Sequence, residues 1–227
     1  MNNFEDIIKV IPQKPYFRDL TRDIVIYCDD CRNILSHIPD KVIDLVLIDP
    51  PYGVGLDYLS YNDTQDNWRE LMDFIIPWGI KNVGMCILSP GGISSLGYIY
   101  QNYPPDWLIC WYKGAQPAHC YIGFSHWEPQ LVYGKNKGVK FPDYFFALPE
   151  MNKKINHPCP KPLKWGLHLI HNTTQYNDLV LDPFLGSGTT VYCAKKLGRK
   201  CIGIEIEEKY CEVSANRCRQ TVMDLKI

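Results

Sequence analysis

Seven short apolar runs, rich in β-branched residues and almost free of polar interruption, punctuate this chain at 24–27, 43–48, 85–88, 107–111, 131–133, 179–181 and 201–204. They are too short for ordinary helices and lack the alternation of a sheet with one wet face, so they suit strands buried on both sides. Stretches with helical spacing lie between several of them: 68–76, with Pro77 near its end; 163–171, following Pro162; 189–197, running out into Gly198; and 207–223. A proline at the first turn and a glycine just past the last are regular helix boundaries. Strands alternating with helices predict an α/β fold, with a mainly parallel sheet and helices on both faces. The aromatic, turn-rich stretch 114–140 breaks the pattern: Glu128 to Tyr133 followed by Gly-Lys-Asn-Lys-Gly reads as an antiparallel hairpin extension of the sheet.

Length and charge narrow the function. With 227 residues and 46% hydrophobic content, the chain can bury one good core, which favours a single domain. Its formal net charge of −1 supplies no bulk field for nucleic acid, so any basic face must be local. The charge is in fact segregated. Twelve acids oppose four bases between Asp19 and Asp73, whereas seven lysines oppose two acids between Lys135 and Lys164. The lysine-rich segment is either a solvated loop or a surface for a polyanion. Ten cysteines are too few for a disulfide scaffold, and neither a signal peptide nor an apolar run of ~18 residues is visible. A soluble protein of the cytoplasm is expected, without a membrane partner.

Leu179-Val-Leu-Asp-Pro-Phe-Leu-Gly-Ser-Gly-Thr-Thr190 has the form strand, acid, Gly-x-Gly, helix. In α/β folds a nucleotide-like ligand sits beyond such a strand end, where glycine lets the backbone approach it. Gly188 is followed by Thr189 instead of a lysine, and position 191 is valine, so neither a P-loop nor a dinucleotide fingerprint is met. The next strand also ends in an acid, Glu205, which can grip a ribose diol or simply begin an acidic first helical turn with Glu207 and Glu208.

The most informative line is Asp44-Leu-Val-Leu-Ile-Asp49-Pro50-Pro51-Tyr52-Gly. A buried strand ends in a carboxylate, two prolines remove backbone donors and stiffen the turn, and an aromatic follows. Such a corner offers a carboxylate, the Pro50 carbonyl and a π-face, which suits an amino-heterocycle. Asp, Pro and Gly also dominate ordinary turns, which is the competing reading.

Asp-Pro-Pro-Tyr at 49–52 and Asp-Pro-Phe-Leu-Gly-Ser-Gly-Thr-Thr at 182–190 resemble the DNA amino-methyltransferases that use S-adenosylmethionine. The catalytic tetrapeptide comes before the glycine motif, as in the family's beta group, a circularly permuted arrangement. Tyr27-Cys-Asp-Asp-Cys-Arg-Asn-Ile-Leu35, His157-Pro-Cys-Pro-Lys-Pro-Leu163 and Ile202-Gly-Ile-Glu-Ile206 resemble three further elements of the family in family order. The resemblance is tight over 27–52 and 157–206 and loose over 56–156, through Trp127-Glu-Pro-Gln-Leu-Val-Tyr-Gly134.

It implies a single-domain Rossmann-like methyltransferase over 1–227 with a target-recognition region at 56–156. It implies cofactor contacts by Asp182, Phe184, Gly186, Gly188 and Thr189 at the turn, Glu205 on the ribose, and Asp30, ahead of Asp29, near adenine. Lys161 and Pro162 would border the methionine end, and His157 would position its loop. Asp49, Pro50, Pro51 and Tyr52 would act on an amine of a DNA base flipped out of its duplex. Asp instead of Ser at 49 leans towards N6 of adenine over N4 of cytosine. An RNA or protein amino-methyltransferase and a catalytically silent DNA-binding relative are the alternatives. Relatives acting on other amides tend to carry Asn at position 49, and the complete motifs argue against decay. No metal is expected: Cys28-Asp-Asp-Cys31 has no second pair to complete a zinc site, and His168 and His171 have no further ligand placed near them. His119, Cys120 and His126 lie in the hairpin-like stretch without an assigned role.

Overall fold

Burial on both faces puts the apolar runs at the centre of a mixed sheet. The computed structural model describes residues 3–56, 58, 60–114, 118–120, 123–136, 138–149 and 160–219, with 94 and 118–120 described by their backbone alone. The strands are β1 (Phe17–Asp19), β2 (Ile24–Cys28), β3 (Ile43–Ile48), β4 (Val83–Leu88), β5 (Trp107–Tyr112), β6 (Ala118–Cys120), β7 (Gly123–Ser125), β8 (Trp127–Gly134), β9 (Tyr144–Phe146), β10 (Leu179–Asp182) and β11 (Lys200–Glu205). The helices are α1 (Phe4–Val10), α2 (Cys31–Leu35), α3 (Gln65–Asn82), α4 (Ile93–Asn102), α5 (Leu163–Thr173), α6 (Thr189–Lys196) and α7 (Glu208–Arg219).

Among the described residues, nine strands form one sheet in the order β1-β2-β11-β10-β3-β4-β8-β5-β9, and β6 and β7 pair separately. β2, β11, β10, β3 and β4 run parallel, while β1 and β8 run antiparallel to their neighbours. Alternate side chains feed two cores. Val46 and Ile48 join α1 to α4 on one face; Leu45 and Leu47 join α5, α6 and α7 on the other. Both faces are covered, which is why the strands read as unbroken apolar runs.

The extension departs from a simple hairpin after Tyr133. β8 pairs with the upstream β5, Trp107 facing Val132 and Tyr112 facing Trp127, and inserts between β5 and β4. Pro129 is tolerated inside it because its register lies beyond the end of β4, where no donor is required on that side. The chain then continues to β9, parallel to β5. Helix α3 also departs from expectation, running past Pro77 to Asn82. Ile75, Ile76 and Gly79 stay buried around the proline, and that packing outweighs the missing backbone bond. The last helix, expected to reach 223, is described to Arg219. No helix among the described residues is long and apolar enough to cross a membrane.

β10 and β3 are neighbours, Val180 beside Leu45 and Leu181 beside Val46. From β10 the chain passes through α6 to β11 on one side; from β3 it passes through α3 to β4 on the other. The two connections part at the carboxyl ends of β10 and β3. That is the switch point where open α/β sheets leave a crevice for ligands.

Candidate active site

Asp49 leaves the end of β3 directly into this crevice. The following corner is held by side chains. The Tyr52 hydroxyl donates to Asp49 Oδ1 at 2.5 Å, and Lys161 Nζ lies 2.7 Å from the same oxygen. The chain beyond the corner is fixed by Asp63, a buried carboxylate that accepts the backbone N–H groups of Gly53 (2.6 Å), Val54 (3.1 Å) and Leu56 (3.0 Å). At Gly91, φ is +78° and the backbone lies so close to the Tyr52 ring that a Cβ there would meet its Cδ1 at 2.7 Å. Burial, then the Asp49 carboxylate, push the Tyr52 hydroxyl well above its usual pKa, so it remains a donor.

The opposite wall is the turn after β10. Glu205 Oε2 accepts the Gly186 N–H at 2.7 Å, and Oε1 accepts the Glu207 N–H at 2.9 Å. Glu205 thus closes β11, and Glu208 is the acid in the first turn of α7. Asp182 Oδ1 accepts the Phe184 N–H at 3.0 Å. Burial pushes the Asp182 carboxyl up to about 7; the Thr190 hydroxyl and Phe184 N–H pull it down, and the charges of Asp49 and Glu205 add to the rise. Glu205 is likewise raised, chiefly by burial. The turn is braced from α7, where Ser214 Oγ donates to the Gly186 carbonyl at 2.8 Å and Arg217 Nη1 donates to the Ser187 carbonyl at 2.9 Å.

Of the residues singled out in the sequence, Asp49, Pro50, Pro51, Tyr52, Asp30, Lys161, Asp182, Phe184, Gly186, Thr189 and Glu205 line one cleft. Gly188 and Pro162 stand behind it as the N-caps of α6 and α5. Asp30 caps α2 and is gripped by Arg32, with Nη2 2.6 Å from Oδ2, while Asp29 receives Asn33. Phe184, expected at the cofactor, lines the cleft and also packs on the core. Lys161 is buried against Asp49, so it drops out of the basic segment expected to face a polyanion. His157, with Lys137, Lys153 and Lys154, lies outside the described residues. His168 stacks on Phe145 at 4.4 Å, and Cys28 and Cys31 are free thiols. No cluster of three potential metal ligands occurs among the described residues.

Several contributors escaped the sequence. Tyr61 lines the cleft, and its buried hydroxyl has no hydrogen-bond partner among the described residues. Glu207 Oε1 accepts the Ser60 N–H at 2.6 Å, tying the loop after the corner to the Glu205 side. Gln130 Oε1 accepts from Ser89 Oγ at 2.8 Å and from Trp165 Nε1 at 3.0 Å beneath the floor. The donor set fits S-adenosylmethionine. The Asp182 carboxylate complements a cationic ligand and Glu205 can accept hydroxyl groups, Phe184, Leu71 and Ile206 offer apolar walls, and the Tyr61 hydroxyl awaits a partner.

A Rossmann-like sheet, a glycine turn with the Glu205 carboxylate beyond it, and the Asp49–Tyr52 corner in the same cleft suit an S-adenosylmethionine-dependent methyltransferase. The comparisons agree. A family model described as DNA methylase (N6_N4_Mtase) matches residues 106–216. The Type II methyltransferase M2.MboI of Moraxella bovis is 28% identical, over 94% of this chain and 94% of its own length. The Type II methyltransferase M.HinfI of Haemophilus influenzae is also 28% identical, over 84% of this chain and 67% of its own. Among solved structures, the M1.HpyAVI–SAM complex superposes with a TM-score of 0.66 at 25% identity, over 87% of this chain and 100% of that one. The PvuII cytosine-N4-specific DNA methyltransferase shares the fold, with a TM-score of 0.72 at 18% identity, over 96% of this chain and 92% of that one. These similarities support a DNA amino-methyltransferase of the N6-adenine/N4-cytosine type, with S-adenosylmethionine as the methyl donor.

Proposed function

We propose that this chain methylates N6 of a target adenine at a specific site in DNA, acting on a base rotated out of its duplex. One observation carries the reading: the Asp49–Tyr52 corner and the Asp182 and Glu205 carboxylates open into the same cleft. Glu205 holds the ribose hydroxyls, and Asp30 marks the adenine end. Asp182, Phe184, Gly186, Gly188, Thr189 and Pro162 shape the wall between that end and the corner. When bound there, S-adenosylmethionine supplies an electrophilic methyl group.

An exocyclic amine is a poor nucleophile because its lone pair is delocalised into the ring. The Asp49 carboxylate and the Pro50 carbonyl accept its two N–H groups, favour a pyramidal nitrogen, and bind more strongly as positive charge develops. Tyr52, stiffened by Pro51, stacks on the base, and alignment of the partners supplies much of the remaining rate. Extrusion of the base costs a few kcal/mol.

Target reading is assigned to 56–156. Tyr112, Trp127 and Phe146 form an exposed cross-strand row there, and Lys135, Lys140 and the adjoining Lys164 suit phosphate contacts. The choice of adenine rests on Asp instead of Ser at 49.

The test is nucleoside mass spectrometry of unmethylated genomic DNA treated with the protein and S-adenosylmethionine, with Asp49→Ala as control. N6-methyladenine that is absent from the control is the expected result. N4-methylcytosine would keep the mechanism and overturn the base. No DNA product, with cofactor binding intact, would overturn DNA as the substrate in favour of RNA or protein.

A further inference from the structure

Lys161 does no work in the mechanism above, yet its ammonium sits at the reacting corner. Its side chain is only 8% exposed. Nζ is 2.7 Å from Asp49 Oδ1 and donates to the Tyr52 hydroxyl at 2.9 Å, and that hydroxyl itself donates to Asp49 Oδ1 at 2.5 Å. The three groups form a closed triangle. The lysine is anchored from behind, because its own carbonyl accepts Thr189 Oγ1 at 2.9 Å from the start of α6. Nζ also lies 5.5 Å and 5.7 Å from the ring centroids of Tyr52 and Trp111, between two aromatic walls.

The triangle uses one carboxylate oxygen and leaves the other. Among the described residues, no hydrogen bond reaches Asp49 Oδ2 or the Pro50 carbonyl. Two acceptors therefore remain free at the corner, the number a primary amine requires. We infer that Lys161 is a positioning residue for methyl transfer: it fixes the Asp49 carboxylate by Oδ1, so that Oδ2 and the Pro50 carbonyl face the amine, and it fixes the Tyr52 ring by its hydroxyl. This rests on Asp49 and Pro50 being the amine's acceptors. It differs from the methionine-end role that the family resemblance implies for Lys161.

Electrostatics support the geometry. Burial pulls the Lys161 pKa down, but Asp49, Tyr52 and Glu128 raise it further, leaving it well above the usual value. An ammonium with all its protons can donate and cannot accept. Lys161 therefore orients the corner and takes no proton from the amine, and the proton shed by the methylated nitrogen goes to Asp49 Oδ2 and then to solvent.

Lys161→Met, Lys161→Ala and Asp49→Ala, each in the full chain, separate the possibilities. Calorimetric binding of S-adenosylmethionine, which also reports folding, should stay within about twofold of wild type in all three. Saturated methyl transfer to unmethylated DNA should fall ~30-fold or more in both lysine variants. Because Lys161 lines the cleft, ethylammonium can enter the space vacated in Lys161→Ala and should restore the rate about tenfold, while ethanol should not. A rate within threefold of wild type in Lys161→Ala, with Asp49→Ala inactive, would overturn the lysine's role and spare the corner. Full activity in Asp49→Ala would overturn both. Cofactor binding weakened tenfold with an unchanged saturated rate would place Lys161 on the cofactor instead. A loss of rate that no amine restores would reduce it to packing.

Discussion

The two walls of the cleft are built by different means. On the β10–β11 wall, Glu205 and Asp182 are held by backbone N–H groups of Gly186, Glu207 and Phe184, all from the one unit formed by β10, α6 and β11 and its flanking turns. On the β3 wall, Asp49 is held by side chains, one of them Lys161 from far along the sequence. A wall set by local backbone forms whenever its strand–turn–helix unit forms. A corner set by distant side chains exists only once the whole domain has closed around it. Binding and chemistry should therefore fail separately.

The largest effect should come from Asp49→Ala, which should lower transfer by ~10³-fold or more while leaving the cofactor dissociation constant within about twofold. Loss of both would erase the division between the walls. Next is Gly188→Ala. Its φ of +81° disfavours a side chain, and the new Cβ would meet Ser214 Cβ at 2.8 Å and Cα at 2.9 Å. A loss of about 2–4 kcal/mol in denaturant unfolding is expected, and an unchanged midpoint would show that the turn can yield. Glu205→Ala should raise the cofactor dissociation constant by ~10- to 100-fold, with the rate at saturating cofactor much less affected. An unchanged constant would remove Glu205 from the ribose.

A further expectation is a pH dependence. The Asp182 carboxyl titrates at about 7 in the folded chain against 3.8 when free, so the native state holds its proton more tightly than the unfolded chain. Without cofactor, this group makes the fold less stable as pH rises from about 4 to 7, a trend that thermal melting can follow. A cationic ligand favours the ionised form, so cofactor affinity should rise with pH through about 7, by less than tenfold per unit. Asp182→Asn should flatten that rise in calorimetry. A slope surviving in the variant would assign it to another group.

The same contrast explains how much could be read from the sequence. The central strands were visible because burial on both faces leaves unbroken apolar runs, and the glycine wall was visible because its parts are contiguous. α2, at Cys31–Leu35, is too short to show a period, and β9 carries only Tyr144-Phe-Phe146. Asp63 is one of twelve acids in its region, and nothing local marks it as the one that accepts three backbone donors. Lys161 stood out as part of a motif, but its partner could not, because pairing across the sheet leaves no periodic trace. α3 ran past Pro77 because tertiary burial outweighed a local penalty.

The pairing of Leu45 with Val180 also governs how the molecule comes into being. The two strands whose tips make the crevice are among the most remote segments brought together, so their contact closes a very large loop. Closing it costs chain entropy before any packing repays it, and sheets with such remote neighbours fold slowly. A partly folded chain can hold the glycine turn and still have no reaction corner beside it. Activity should therefore appear during refolding in the final kinetic phase, after secondary structure, and never in proportion to it.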